Sequence, residues 1–99
     1  MSDPHPRLRL SEVLHQPVRF SITAALAAAD QLDFGDLRDA VQVTDSALSK
    51  QISTLETAGF VRVKKGFVGK RPRTTLSLTA AGRTAWAEHL ATLREIAAG

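Results

Sequence analysis

A helix pattern leads directly into a hairpin pattern between Val43 and Leu78, and this succession constrains the fold more than any other part of the chain. The apolar positions of its first half recur at helical spacing and share one stripe: Leu48, Ile52 and Leu55. Thr44 can cap the start of this helix, and Gly59 suits a left-handed turn after its end. We therefore predict a helix over residues 44–58 followed by a hairpin over residues 60–78.

The side of this helix that lies opposite the apolar stripe is polar, and its side chains are small or basic. Its members are Thr44, Ser46, Ser49, Lys50, Ser53 and Thr54. Asp45 and Glu56 fall towards the flank of this polar face. A slim hydrogen-bonding face can approach a polar surface closely, and the major groove of DNA is wide enough to admit a helix. We predict that these six residues contact DNA.

The hairpin is basic from Arg62 to Arg73. Between Arg62 and Arg73 the sequence contains no aspartate or glutamate, and Gly66, Gly69 and Pro72 are expected to form the connection between two strands. The cations expected to contact the phosphate backbone or the minor groove are Lys65, Lys70, Arg71 and Arg73. For Lys65 and its neighbour Lys64, an equally acceptable interpretation is that they keep an exposed strand from aggregating.

Four short phrases in this part of the chain carry a family resemblance. They are Leu48–Lys50, Leu55–Val61, Arg71–Thr74 and Leu78–Gly82. In order and spacing they are similar to the winged helix-turn-helix family of bacterial transcription regulators, close to its MarR-like group. The resemblance extends back through Pro17–Arg19, so it covers most of the chain.

The resemblance and the periodicity together imply a mainly α fold with a small antiparallel β-hairpin. This α+β class corresponds to a winged helix-turn-helix with an extra N-terminal helix and a long C-terminal helix over residues 79–97. The helix over 44–58 is the recognition helix and the hairpin over 60–78 is the wing. The two prolines near the N-terminus predict a flexible arm over residues 1–7. The whole chain, residues 1–99, is expected to be one domain.

The resemblance also implies a homodimer, because the terminal helices of that family pair with a second subunit. The candidate interface residues are Leu10, Leu14, Trp86, Leu90 and Leu93. The alternative, that these side chains cover the core of their own subunit, has comparable weight. Family members also sense small ligands, but no residue of this chain identifies one.

Composition excludes several other functions. The chain has 99 residues, a net charge of +3 and no cysteine, so disulfides and cysteine-ligated zinc are excluded. Its three histidines lie far apart in sequence, and neither a nucleophile elbow nor a P-loop occurs. We therefore expect neither catalysis nor a metal or other cofactor. With no apolar segment of membrane-spanning length, a cytoplasmic protein with no membrane partner is expected.

The predicted function is that of a homodimeric, sequence-specific regulator of transcription that binds double-stranded DNA. The alternative is a winged-helix module that binds protein, but such modules often present acidic or apolar faces, unlike this polar to basic one. RNA binding is less favoured, because few aromatic residues interrupt the basic surface.

Overall fold

The fold combines five helices with a small sheet, and the computed structural model describes residues 3–99. After a short 3-10 turn at Pro6–Arg9, the elements are α1 (Glu12–His15), α2 (Pro17–Ala27), β1 (Leu32–Asp33), α3 (Phe34–Val41), α4 (Asp45–Thr57), β2 (Val61–Val68), β3 (Arg71–Leu78) and α5 (Ala80–Ala98). The sheet is antiparallel with strand order β1-β3-β2. The predicted α+β winged-helix class is confirmed.

Local capping explains where the two longest helices begin. The Thr44 hydroxyl accepts a hydrogen bond from the backbone N–H of Ala47 at 3.2 Å, and Thr79 accepts one from Gly82 at 2.9 Å. Gly59 follows α4 with φ +83°, a left-handed conformation that suits glycine. These contacts place α4 and α5 within one residue of their predicted bounds.

A single apolar core lies between the helices and one face of the sheet. Its fully or nearly fully buried members are Leu14, Ile22, Leu26, Leu37, Leu48, Ile52, Leu55, Val61, Leu76 and Leu78. The apolar stripe of α4 therefore faces inward, as its spacing predicts. The prediction that Leu14 contacts a partner subunit is wrong, because its side chain is wholly covered by the core of its own chain.

The two strands of the wing extend further towards the turn than the sequence suggested, although the wing has nearly its predicted bounds. The strands β2 and β3 pair continuously from Val61 opposite Leu78 to Val68 opposite Arg71. Gly66 and Pro72 lie within strands rather than in the connection, so only the expectation for Gly69 is correct. Gly69 takes a positive φ of 62° in the tight turn that it forms with Lys70.

The N-terminal segment packs against the C-terminal helix. The predicted arm over residues 1–7 falls partly outside the described residues, while Pro6–Arg9 forms the 3-10 turn beside α5. An ion pair between Arg9 and Glu95 joins the two. None of the helices in residues 3–99 has the length and apolar character needed to cross a bilayer.

Candidate nucleic-acid interface

The outermost stripe of α4 is exposed and free of acidic residues. Its members follow helical spacing on the side opposite the buried leucines: Ser46, Lys50, Ser53 and Thr57. Lys50 supplies the only long side chain of this stripe. The stripe thus combines small hydroxyl groups with one flexible cation, an arrangement that permits close approach to a polar surface.

A groove of about 730 Å³ separates α4 from the sheet. Three residues predicted to contact DNA border it, namely Ser49 and Ser53 from α4 and Lys65 from β2. Asp45 and Glu56 also border it, so the flank of α4 on which they lie faces the sheet. Acidic side chains on this side of α4 repel phosphate. The outer stripe is therefore favoured as the part of α4 nearest to a duplex.

Arg38 of α3 forms ion pairs with two aspartates, one on α3 and one on α4. The Arg38 guanidinium donates to the carboxylate of Asp45 at 2.9 Å and to that of Asp39 at 3.0 Å. These hydrogen bonds, that to Asp45 first, raise the pKa of Arg38. Since the pair is solvent-exposed, its main effect is to offset the negative charge beside the start of α4.

The two faces of the wing carry different cations. Directly opposed residues share a face, so Lys65 and Thr74 lie on the same side as the pair of Val63 and Leu76 that faces the core. Arg73 is one position further along β3 and therefore falls on the opposite face. The register thus brings Lys65, but not Arg73, to the side of the sheet that faces α4.

Arg73 is already bound within the chain. Its guanidinium donates to the carboxylate of Asp33 at 3.0 Å from Nε, with a second nitrogen 2.9 Å away. This ion pair joins β1 to the wing, and both side chains remain partly exposed. Lys70 and Arg71, by contrast, are exposed at the turn end of the wing. Arg73 therefore has a structural role that the sequence did not predict.

Two other predicted contact residues also have structural roles. Thr44 caps α4, and the Thr54 hydroxyl donates to the carbonyl oxygen of Lys50 at 3.3 Å. Thr54 is half-buried. Both remain beside the outer stripe, but neither hydroxyl is as free to reorient as those of Ser46 and Ser53.

Arg19 positions α4 and was missed by the sequence interpretation. From α2 it donates to the side-chain oxygen of Gln51 at 2.7 Å and to the carbonyl oxygen of Val13 at 2.6 Å. It therefore joins α4 to the segment before α2. No spacing rule connects residues 19 and 51, so the only signal available was that Gln51 lies towards the core side of the helix.

The predicted interface residues on α5 are half-buried within the single chain. Trp86 packs against Phe20 with ring centroids 4.9 Å apart, so part of its surface is covered by its own chain. Leu90 and Leu93 keep part of their surface exposed, as does Leu10. These three side chains remain available to a second subunit.

A buried histidine lies between Trp86 and Leu90 on α5. His89 is only 2% exposed, and its Nδ1 accepts a hydrogen bond from the backbone N–H of Ser11 at 3.3 Å. Burial, with a smaller contribution from the charge of His15, lowers the pKa of His89. Among residues 3–99, no three His, Asp or Glu side chains cluster in a way that could hold a metal ion.

Comparison with known proteins identifies the family. The family model described as a winged helix DNA-binding domain matches residues 18–97, which include the stripe, the groove and the wing. The chain belongs to the winged helix DNA-binding domain family. An uncharacterized protein of Methanocaldococcus jannaschii is 29% identical over 79 residues, covering 80% of this chain and 86% of that protein.

Solved structures agree with this assignment. A transcriptional regulator homologue from Pyrococcus horikoshii superposes with a TM-score of 0.84 at 28% identity, covering 90% of this chain and 88% of the other. NadR in complex with 4-hydroxyphenylacetate gives a TM-score of 0.74 at 29% identity, with coverage of 91% and 63%. A MarR family regulator from Silicibacter pomeroyi shares the fold, with a TM-score of 0.71 at 24% identity and coverage of 88% and 57%.

The predicted resemblance to MarR-like winged-helix regulators is thereby confirmed. The winged helix protein described here is a DNA-binding regulator of transcription.

Proposed function

We propose that this winged helix protein binds double-stranded DNA as a homodimer and recognises a specific sequence. The N-terminal half of α4 enters the major groove, where Ser46, Ser49, Lys50 and Ser53 meet base edges and flanking phosphates. Lys65, Lys70 and Arg71 bind the neighbouring phosphates. The observation that supports this most is the exposed, acid-free outer stripe of α4 beside a wing whose tip is basic.

The short side chains of α4 limit how specific its base contacts can be. Lys50 is the only long side chain of its outer stripe, Gln51 is held by Arg19, and the helix has no arginine for a two-pronged contact with guanine. Part of the sequence preference therefore comes from the shape of the DNA as the wing meets it. Arg73 contributes to this only in part, since Asp33 already holds its guanidinium.

The dimer rests on the half-buried leucines of α5. Leu90 and Leu93, joined by Leu10, give α5 an apolar strip that one subunit covers incompletely. Pairing two such strips about a two-fold axis buries them and presents two copies of α4 on one side of the dimer. A cytoplasmic location and a small-molecule effector remain predictions, and no residue points to a particular ligand.

Selection of bound duplexes from a random DNA pool tests this function directly. The proposal predicts a pseudo-palindromic site whose half-sites lie about one helical turn apart, roughly 34–36 Å. Repeating the selection with Lys50→Ala should change the preferred bases more than the affinity for random DNA. If the purified protein retains no duplex even at about 50 mM salt, where phosphate contacts are strong, the proposal is wrong and a protein-binding module becomes the better interpretation.

A further inference from the structure

The tip of the wing exposes a large apolar side chain that the fold does not use. Phe67 is 74% exposed and its neighbour Val68 is 55% exposed. Phe67 lies directly opposite Pro72, so the two form an apolar pair two positions from the Gly69–Lys70 turn. Neither belongs to the core. An exposed phenylalanine beside a proline at a hairpin tip forms an apolar surface that a partner would cover.

The charge around this pair indicates which class of partner it meets. Lys65 precedes Phe67 on the same strand, Lys70 lies in the turn, and Arg71 adjoins Pro72. No carboxylate occurs between Arg62 and Arg73, so the segment that carries the pair is basic, and Asp33 supplies a carboxylate only at Arg73. A polyanion fits such a surface better than an apolar protein groove does, because the cations would lose hydration there without gaining partners.

The position of the pair along the wing matches the grooves of a duplex. Lys65 borders the groove beside α4, and the four residues from there to Gly69 extend about 13 Å at the usual strand rise. Half a helical turn, the distance from the centre of the major groove to the next minor groove, is about 17 Å. Because a groove already separates Lys65 from α4, this extension takes the wing tip from a helix in the major groove to the adjacent minor groove.

The pleat also directs Phe67 towards the duplex. Alternation along β2 places Phe67 on the same face as Lys65, the face that borders the groove beside α4. Its high exposure lets the ring be reached from the other side as well, where it borders a shallow groove of about 210 Å³ with Lys64 and Arg73. The Phe67 ring is therefore accessible from both faces of the wing near its tip.

We propose that Phe67, supported by Pro72, is an apolar wedge that inserts between base pairs in the minor groove and bends the DNA. This inference rests on the proposed function and adds the manner in which the wing engages its site. Phenylalanine and proline are among the side chains that partially unstack a base step when cations hold the backbone on either side. The favoured step is an easily unstacked TA or CA/TG step at the flank of each half-site.

The experiment uses the full chain and a duplex from the random-pool selection that carries fluorescent dyes at its ends and 2-aminopurine at the flanking step. Binding of the native protein should raise energy transfer between the dyes, because the duplex bends, and should raise 2-aminopurine fluorescence, because the base unstacks. Phe67→Ala should abolish both signals and weaken binding by about five- to hundredfold, the range expected for one stacked aromatic side chain. Phe67→Leu should restore much of both signals, because leucine also acts as a wedge.

Val68→Ala is the matched control, since Val68 is apolar and exposed but lies on the other face of β2. It should leave both signals unchanged. The inference is overturned, and DNA binding retained, if the native protein binds the duplex without either signal or if Phe67→Ala bends it as the native protein does. It is also overturned if Phe67→Ala changes the oligomeric state in sedimentation, since the wing tip would then contact a protein. No binding at all by the native protein would instead remove the proposed function.

Discussion

At the scale of single residues, two arginines with similar sequence settings have different roles. Arg71 and Arg73 flank the same proline, but Asp33 binds only Arg73. Asp33 is 40 positions away in the chain, so no local pattern announces the pair. Thr44, by contrast, was predicted correctly as a cap, because a cap is specified by residues three positions away.

Replacing Asp33 by asparagine should release Arg73 and strengthen binding to DNA of any sequence. The change removes a negative charge beside the wing, so affinity for random duplex at low salt should rise severalfold, and the salt dependence should become steeper by up to about one unit. The free energy of unfolding should fall by no more than about 1 kcal/mol, because the pair is partly exposed. Fluorescence titration measures the affinity.

Asp36→Asn is the control for this change. It removes the same charge from an exposed position on α3, and it should raise affinity less. Equal effects of the two substitutions would show that Asp33 acts only through overall charge and not by binding Arg73.

The buried His89 should make stability depend on pH near neutrality. Its pKa in the folded chain lies below its ordinary value of about 6.5, so the unfolded chain takes up the proton first. The stabilisation is present above about pH 6.5 and is lost as the pH falls below it, with a slope of at most about 1.4 kcal/mol per pH unit. Urea unfolding from pH 7.5 to 6.0 measures this slope.

His89→Gln cannot titrate and can still accept the Ser11 hydrogen bond, so it should flatten the slope. His5→Gln changes an exposed histidine and should leave the slope as it is in the native protein. A slope that survives in His89→Gln would assign the pH dependence to another group.

At the scale of elements, the periodicity of apolar residues predicted long segments correctly but failed to predict short ones. The helix over 44–58 was predicted because its apolar stripe extends over two turns. The strand β1 has only two residues and no period to detect, and its pairing with β3 became visible only in three dimensions. The wing strands were predicted too short because Gly66 and Pro72 are typical of turns.

The joint between the wing and α5 should tolerate no side chain at Gly82. A Cβ there would overlap the carbonyl oxygen of Phe60 and lie 2.9 Å from its carbonyl carbon, and both atoms belong to the backbone. The same carbonyl accepts a hydrogen bond from the Thr79 N–H at 3.0 Å, so it cannot move freely. Gly82→Ala should lower the free energy of unfolding by about 1–3 kcal/mol or more.

Gly66→Ala provides the comparison, because a Cβ at Gly66 meets nothing within 4 Å. It should change the free energy of unfolding by less than about 0.5 kcal/mol. Urea denaturation at matched protein concentration checks both variants, and equal stability of the two would show that the joint is not rigid.

At the scale of the whole molecule, the chain is elongated, with extents of 62 × 24 × 21 Å. The sequence predicted the recognition helix and the wing but could not assign the apolar residues of the terminal segments. Leu14 faces the core, Trp86 packs against Phe20, and Leu90 and Leu93 stay half-exposed. A stripe of leucines does not tell which neighbour covers it, because every apolar neighbour satisfies the same pattern.

Leu93→Glu should convert the dimer to a monomer. A carboxylate in an apolar interface loses hydration without gaining a partner, which typically costs several kcal/mol. Sedimentation velocity measures the result. Ala81→Glu adds the same charge at the exposed start of α5 and should leave the dimer intact. A dimer that persists in Leu93→Glu would move the interface elsewhere.

The salt dependence of DNA binding tests most directly whether the wing contacts the duplex. The logarithm of the association constant should fall linearly with the logarithm of salt concentration, and the slope should shrink by about 0.9 for each phosphate contact removed. Lys70→Ala combined with Arg71→Ala should therefore flatten the slope by about two units per bound subunit, whereas Arg94→Ala, an exposed change on α5, should not alter it. An unchanged slope in the double variant would show that the wing does not contact DNA.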